Sequence, residues 1–209
     1  MNWDDVYWRL KNEPEWLVLI FLCIAAIAGG SYYYYQNTAA GTEASEHFNR
    51  VFIQYIQSSQ PEDYEPVIQQ FERLSRRHAE SKMYDKILYF LGKSYFKSGQ
   101  YNEAVQQFLT IIRRYPESFF YESASLHVGY SFYQLGRYES ALDHLSQLDT
   151  VDSKNPIWSE AKWQKALVYK MLGDDEKARD TLTEIIETTS DTDNYWTRRA
   201  RELLSELIA

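Results

Sequence analysis

The 209-residue chain has little of what most enzymes and metalloproteins require. Its single cysteine, Cys23, excludes an internal disulfide framework. Its four histidines have no partners at the spacing of a zinc ligand set. They are His47, His78, His127 and His144. No phosphate-binding loop, nucleophile elbow or calcium loop occurs. The sequence therefore predicts no enzyme, no cofactor, no metal site and no small-molecule substrate.

Basic residues are also the minority, with 22 Lys and Arg against 30 Asp and Glu and a net charge of −8. Nucleic-acid binding requires a basic face, so this balance predicts that nucleic acid is not a partner. Aromatic side chains, by contrast, make up 16% of the chain and include 18 tyrosines. Helix packing accounts for some of them, and the others are candidates for a binding surface.

Small and large residues recur along the chain at a step of 37 residues. The columns are Gly99, Gly136 and Gly173; Ala104, Ala141 and Ala178; Tyr95, Phe132 and Tyr169; and Phe108, Leu145 and Leu182. One step upstream, the segment Arg76–Ser81 mirrors Arg113–Ser118. This pattern is typical of the tetratricopeptide repeat (TPR), a helix–turn–helix unit of about 34 residues that stacks on its neighbours.

Each column has a physical reason. The glycines are expected where the first helix of a unit, helix A, ends in a left-handed conformation. The alanines are expected in the second helix, helix B, where a small side chain lets the two helices approach. The three additional residues of each unit are predicted to lengthen either the connection from B to the next A or helix B itself.

The predicted fold is therefore all-α, with a TPR α-solenoid as its main part. Helix pairs are expected at about 48–84, 85–121, 122–158 and 159–195, followed by a capping helix at 196–209, within a domain 47–209. The apolar face of the cap would be formed by Trp196, Ala200, Leu203, Leu204 and Leu207.

A second feature precedes the repeats, because residues 16–35 contain no charged side chain. A helix of this length would span roughly 30 Å, the hydrocarbon thickness of a bilayer. Trp16 at one end and Tyr32–Tyr35 at the other are typical interfacial anchors. The sequence therefore predicts a single transmembrane helix, preceded by a segment 1–15 and followed by a connector 36–46.

Three weaker alternatives for this stretch are a signal peptide cleaved near Ala26-Ile27-Ala28, a lipid anchor at Cys23, and a buried core helix. For a transmembrane helix, the basic residues predict the orientation. Arg9 and Lys11 precede it, and no further basic residue occurs before Arg50. The N-terminus is therefore expected in the cytoplasm and the repeats on the other side of the membrane.

The concave face formed by the A helices is the predicted binding site, because aromatic residues at the centre of a surface are typical binding hot spots. Its predicted protein-binding residues are Phe52, Tyr89, Lys93, Phe96, Lys97, Tyr130, Tyr133 and Trp163. The same face should include Ile56, Leu126, His127, Leu167 and Met171. The alternative is that about half of these side chains pack against helix B or the next unit. Tyr89 and Tyr130 occupy positions where a carboxylate clamp has Lys or Asn, so that specialised activity is not predicted.

The layout resembles that of the membrane-anchored periplasmic TPR proteins that are ancillary subunits of the SecYEG translocon. The resemblance rests on the repeats and on Tyr32–Tyr35 continuing through Gln36-Asn37 into the first repeat. It implies a bacterial inner-membrane protein whose periplasmic TPR domain contacts the translocon and periplasmic chaperones during protein export. Two alternatives remain. One is an envelope-assembly scaffold for outer-membrane barrels or the cell wall, and the other is a structural subunit whose span, with Gly29-Gly30, makes the main contacts.

Overall fold

The computed structural model describes residues 27, 29–30, 41–189 and 195–208. The chain divides into two compact units, Met1–Glu46 and His47–Ala209. The predicted segment 1–15, nearly all of the predicted span 16–35 and residues 36–40 of the connector lie outside the described residues. Within the described part of the chain, no helix is both long and apolar enough to cross a bilayer.

The second unit is built from helices joined by short connections, and the described residues contain no strand. Helix α1 spans 41–57 and enters the second unit at His47. It is followed by α2 (Tyr64–Arg77), α3 (Tyr84–Lys97), α4 (Tyr101–Arg114), α5 (Tyr121–Gln134), α6 (Tyr138–Ser146), α7 (Pro156–Leu172), α8 (Asp175–Thr188) and α9 (Tyr195–Ile208). Two 3₁₀ turns, Pro61–Asp63 and Gln147–Thr150, precede α2 and extend α6.

Successive helices pack against each other, and alternate helices also touch. Helix α3 contacts α5, α5 contacts α7, and α7 contacts α9. This is the arrangement of a solenoid in which each A helix stacks on the next, because a single pair cannot bury its own apolar face. The predicted all-α TPR-like solenoid is confirmed.

The repeated glycines lie where the sequence placed them. Gly99, Gly136 and Gly173 follow α3, α5 and α7 with φ angles of +83°, +70° and +76°. The in-register alanines of the B helices, Ala104 and Ala141 among them, are fully buried. Helix A also requires a small residue where it contacts helix B, because a Cβ on Gly129 would lie 2.6 Å from the Leu145 side chain.

The connection from helix B to the next helix A has the same local structure in successive units. In 78–83 the Ser81 hydroxyl accepts a hydrogen bond from the Met83 amide at 3.2 Å, and in 115–120 the Ser118 hydroxyl accepts one from Phe120 at 3.0 Å. Helix α4 between them has 14 residues. The length of this unit beyond the standard one therefore lies in the connection.

Polar bonds also tie one unit to the next at equivalent positions. The Ser118 hydroxyl donates to Asp85 Oδ2 at 2.5 Å, and one repeat later Asn155 Nδ2 donates to Glu122 Oε2 at 2.8 Å. The donors and the acceptors are each 37 residues apart. The same contact is thus made twice, because the units stack with the same geometry.

An ion-pair network lies between the third and fourth units. Lys162 Nζ is 3.2 Å from Asp149 and 2.8 Å from Glu184, and Lys165 Nζ is 2.7 Å from Asp149. The side chains of the two lysines are only 10% and 8% exposed. Burial of the Lys162 ammonium lowers its pKa, and its bonds to Glu184 and Asp149 raise it by more. The pairing therefore keeps the charge of a buried lysine.

Candidate protein-binding groove

Four of the eight predicted groove residues meet around the imidazole of His127. The ring of His127 lies 5.7 Å from Tyr89, 6.0 Å from Phe96 and 6.0 Å from Tyr130, centroid to centroid. Lys93 Nζ lies 5.7 Å from the centre of the Tyr89 ring. Together with Glu160, which is bonded to Tyr130, these residues are called the groove cluster below.

The helical period explains why these side chains meet. Positions 89, 93 and 96 are separated by four and three residues and therefore share one face of α3. Positions 127 and 130 share one face of α5 for the same reason. Because α3 and α5 are successive A helices in contact, the two faces adjoin each other.

His127 is neutral at neutral pH and has a defined tautomer. Its Nδ1 lies 2.7 Å from the carbonyl oxygen of Ser123. A carbonyl only accepts, so Nδ1 carries the proton and Nε2 has the free lone pair. Burial, assisted by the charges of Lys93 and Lys97, lowers the pKa of His127 to about 4, and the bond to Ser123 acts in the opposite direction. The cluster therefore contains a hydrogen-bond acceptor without a charge.

Tyr130 and Glu160 join two A helices through one hydrogen bond. The Tyr130 hydroxyl on α5 donates to Glu160 Oε1 on α7 at 2.7 Å. Burial, and then the negative charge of Glu160, raise the pKa of Tyr130. The hydroxyl thus stays protonated and remains a donor. Glu160 is not among the groove residues predicted from the sequence, although it lies three residues before Trp163 and therefore shares its helix face.

Lys93 and Lys97 provide positive charge that no described residue neutralises by an ion pair within 4 Å. Lys93 is half-buried and Lys97 is exposed. Burial lowers the pKa of Lys93, as does the neighbouring Lys97 charge, whereas Glu160 raises it. Lys93 and Lys97 thus place two positive charges one helical turn apart in a chain whose net charge is −8.

Two of the predicted groove residues, Tyr89 and Phe52, are packed against other aromatic rings. Tyr89 is only 9% exposed and stacks on Phe120 at 4.7 Å, so most of its surface belongs to the core. Phe52 is half-buried and packs edge-on against Phe90 at 4.9 Å. For these two residues the structure shows the packing contacts that the sequence analysis gave as the alternative.

Tyr133 and Trp163 make their ring contacts with residues outside the groove cluster. Tyr133 packs against Tyr138 at 5.8 Å. Trp163 packs against Trp196 at 5.6 Å, with the guanidinium of Arg199 5.0 Å from its ring centre. The indole Nε1 of Trp163 is buried and has no hydrogen-bond partner among the described residues. Trp163 therefore belongs to a separate aromatic group next to α9.

Comparison with solved structures gives the fold. A TPR protein from Parabacteroides merdae aligns with a TM-score of 0.63 and 17% identity over 80% of this chain and 61% of that protein, so the chain spans about three fifths of its length. A putative kinesin light chain of Podosopora anserina with nearly identical TPR-like repeats aligns with a TM-score of 0.64 and 14% identity over 80% of this chain and 85% of that chain. TTC0263, a TPR protein of Thermus thermophilus, aligns with a TM-score of 0.50 and 20% identity over 82% and 80%.

Comparison of sequences gives the family. No curated protein sequence matches this chain significantly. One family model, described as "T7SS, ESX-1 secretion system protein EccA1, N-terminal domain", matches residues 42–200. The matched range begins at the second described residue of α1, includes α2 to α8, and ends within α9. The chain therefore belongs to the family of this N-terminal domain, within a TPR-type solenoid fold.

Proposed function

We propose that this chain is a protein-interaction module that binds an extended acidic segment of another protein in its concave groove. A TPR-type solenoid supports this function, because its stacked A helices form a continuous surface for an extended ligand. The observation that carries the proposal is the pair Lys93 and Lys97, two ammonium groups without an ion pair among the described residues, beside aromatic rings.

The groove cluster and the neighbouring Lys97 offer three kinds of contact to such a segment. Lys93 and Lys97 attract carboxylates and hold them by charge-assisted hydrogen bonds. Nε2 of His127 accepts a hydrogen bond from a backbone amide or a side-chain donor of the ligand. The half-buried ring of Phe96 provides apolar contact area at low entropic cost. The carboxylate of Glu160 opposes acidic groups near Tyr130, so it favours a ligand whose acidic residues lie toward α3.

The process we propose is protein export. The family description supports this, since it names a secretion-system protein, as does the layout that resembles translocon-associated TPR proteins. In this proposal residues 16–35 anchor the chain in a bacterial inner membrane with the N-terminus in the cytoplasm. The solenoid then lies in the periplasm and contacts the translocon or periplasmic chaperones. The uncharged stretch 16–35, preceded by Arg9 and Lys11, supports this topology.

The groove is tested by photocrosslinking from position 96 of the full-length chain in cells. Replacing Phe96 by a photoreactive phenylalanine derivative should capture a partner, and mass spectrometry should locate the crosslink in an acidic segment. A synthetic peptide of that segment is then titrated against the wild type and against Lys93→Gln/Lys97→Gln. The double variant should bind more slowly and with a weaker dependence on salt, because exposed charges mainly accelerate association.

The matched control is Lys82→Gln/Lys154→Gln, which removes the same charge from two exposed lysines outside the groove cluster. Its association rate should equal that of the wild type. Equal rates for the groove double variant and the wild type would exclude the groove as the acidic-segment site, provided that circular dichroism shows both to be folded.

The topology is tested separately with reporters fused after Ala209. Alkaline phosphatase should be active at this position, and a reporter that works only in the cytoplasm should be inactive. Moving the basic residues with Arg9→Glu/Lys11→Glu and Gln36→Lys/Asn37→Lys should reverse this result if they determine the orientation. Cytoplasmic activity in the unmodified chain would contradict the periplasmic location and leave the groove proposal intact.

A further inference from the structure

A basic cavity lies between α1 and α2, apart from the groove cluster. Its volume is about 440 Å³. It is lined by His47, Arg50, Val51, Gln54, Gln70, Arg73, Leu74 and Arg77, all of which belong to the second unit. The described lining of the cavity therefore belongs to the first helix pair.

The charge of this cavity differs in sign from that of the whole chain. Three of the described residues that line it are arginines and none of those described residues is acidic, whereas the net charge of the chain is −8. The side chain of Arg50 forms no hydrogen bond or ion pair with a described residue, and that of Arg73 donates only its Nε, to the carbonyl of Gln69 at 3.2 Å. By comparison, Arg76 on the same helix pairs with Glu72 at 3.7 Å. Arg50 and Arg73 thus retain guanidinium donors that the described residues do not use.

Side-chain pairs join the two helices near both ends of the cavity. Near one end, Gln70 Nε2 donates a hydrogen bond to Gln54 Oε1 across the two helices. Near the other end, Nδ1 of His47 lies 3.1 Å from Nε2 of His78. The two histidines are 31 residues apart in the sequence, so their spacing does not predict the contact, and the antiparallel helix pair brings them together. Val51 and Leu74 are buried and give the cavity an apolar floor.

We propose that this cavity binds a phosphate-bearing anion of small size. The donors that remain, on Arg50 and Arg73, are planar guanidinium groups, which match the oxygens of a phosphate by paired hydrogen bonds. A volume of about 440 Å³ lies within the range of small-ligand sites, and the apolar floor suits the organic part of a phosphate ester.

The test is a calorimetric titration of the full-length chain with inorganic pyrophosphate, at constant ionic strength and in an uncharged detergent. The wild type should show saturable binding of one pyrophosphate per chain. Arg50→Gln/Arg73→Gln should weaken it about tenfold or more, because charge-assisted hydrogen bonds are among the strong ones. Arg50→Lys/Arg73→Lys, which keeps the charge and loses the paired geometry, should bind with intermediate affinity.

The matched control is Arg113→Gln/Arg137→Gln, which removes two exposed arginines outside the cavity. It should bind pyrophosphate as the wild type does. Melting temperatures from circular dichroism identify variants that fail to fold, and the lysine double variant then decides the outcome. The proposal would be overturned if the wild type showed no saturable binding of pyrophosphate, or if the cavity and control variants lost the same amount of affinity.

Competition distinguishes two sources of the phosphate. Displacement of pyrophosphate by glycerol 3-phosphate supports a soluble phosphate ester as the ligand. Stronger displacement by the soluble lipid dihexanoylphosphatidylglycerol supports a lipid headgroup. A peptide of Asp and Glu provides the last comparison. If the wild type binds this peptide but not pyrophosphate, and the cavity double variant binds the peptide less well, the proposal is overturned in favour of an acidic peptide site.

Discussion

The Tyr130 hydroxyl and Glu160 Oε1 lie 2.7 Å apart and join the A helices of two successive units across 30 residues of sequence. The donor is neutral and the acceptor is charged, and burial keeps the pKa of the tyrosine raised. Hydrogen bonds of this kind are stronger than those between neutral groups. The bond therefore holds α5 and α7 together at the wall of the groove.

Removal of this bond should destabilise the solenoid measurably. We expect Tyr130→Phe to lower the free energy of unfolding by about 1–2 kcal/mol, because the Glu160 carboxylate loses its donor. Glu160→Gln should cost less, since an amide oxygen still accepts. A cycle that removes the bond from each side, with Tyr130→Phe, Glu160→Ala and the double variant, should give a coupling energy of about 1 kcal/mol in urea unfolding. Additive effects would mean that the bond does not join the two helices in solution.

Glu160→Gln should also affect the binding of an acidic ligand. The substitution keeps the acceptor for Tyr130 and removes the one negative charge of the groove cluster. Repulsion of carboxylates is thereby reduced, so association of an acidic peptide should be faster by about a factor of two at low salt. Stopped-flow measurements at two salt concentrations check this. Glu184→Gln is an unsuitable control because Glu184 pairs with Lys162, whereas Glu139→Gln changes an exposed carboxylate on α6 and should leave the rate unchanged.

Gly136 is required for its backbone conformation. Its φ is +70°, and a Cβ at this position would have no atom within 4 Å. Gly136→Ala should therefore lower the free energy of unfolding by about 1–2 kcal/mol through backbone strain alone. Gly136→Asn should cost less, because asparagine tolerates the left-handed region, and Gly136→Val should cost most. Thermal melts of the three variants should follow this order, and an unchanged melting temperature for Gly136→Val would contradict the assignment.

Gly129 is required for the opposite reason, because it lies inside α5 and is crowded. A Cβ here would lie 2.6 Å from Leu145 Cδ2. Gly129→Ala should destabilise by about 1–3 kcal/mol despite the better helix propensity of alanine. The effect should shrink or reverse in a Leu145→Ala background, where the added methyl group partly fills the vacated space. Denaturant unfolding of the four chains measures the coupling, and additivity would rule out the steric contact.

The buried imidazole of His127 should make stability depend on pH. Its pKa is lowered to about 4 by burial, from 6.5 in the unfolded chain. Between these values the unfolded state binds more protons, so the free energy of unfolding falls as pH falls from about 6.5 to about 4. The slope contributed by this residue reaches at most about 1.4 kcal/mol per pH unit. Above pH 7 its contribution is fully present.

Urea unfolding across this pH range measures the slope for the wild type and for His127→Gln. The variant should lose the contribution of this residue, whereas His47→Gln, at a different site, should retain it. An identical slope in the wild type and His127→Gln would show that His127 is protonated equally in the folded and unfolded states.

The repeat and its glycines could be predicted from the sequence because their causes are local and periodic. A left-handed residue at a helix end selects glycine whatever surrounds it, so Gly99, Gly136 and Gly173 identify the ends of the A helices. Helical period likewise predicts that Lys93 and Phe96 share a face. The step of 37 residues repeats these requirements, which is why the solenoid could be derived from one chain.

Which aromatic residues line the groove was decided by contacts between units. Tyr89 fits the helix face of the groove, yet Phe120 of the following connection covers it. Glu160 joins the groove cluster only because α7 stacks on α5. Such contacts involve residues some 30 positions apart, and helical period carries no information about them.

Charge shows the same division between sequence and tertiary structure. The net charge of −8 correctly describes the chain as acidic, but it is a sum and does not locate any charge. The antiparallel packing of α1 on α2 gathers Arg50, Arg73 and Arg77 around one cavity, and the stacking of units buries Lys162 and Lys165 against Asp149. Composition and period determined the solenoid, whereas the position of each charge depended on packing, because electrostatic interactions act over distances in space and not along the sequence.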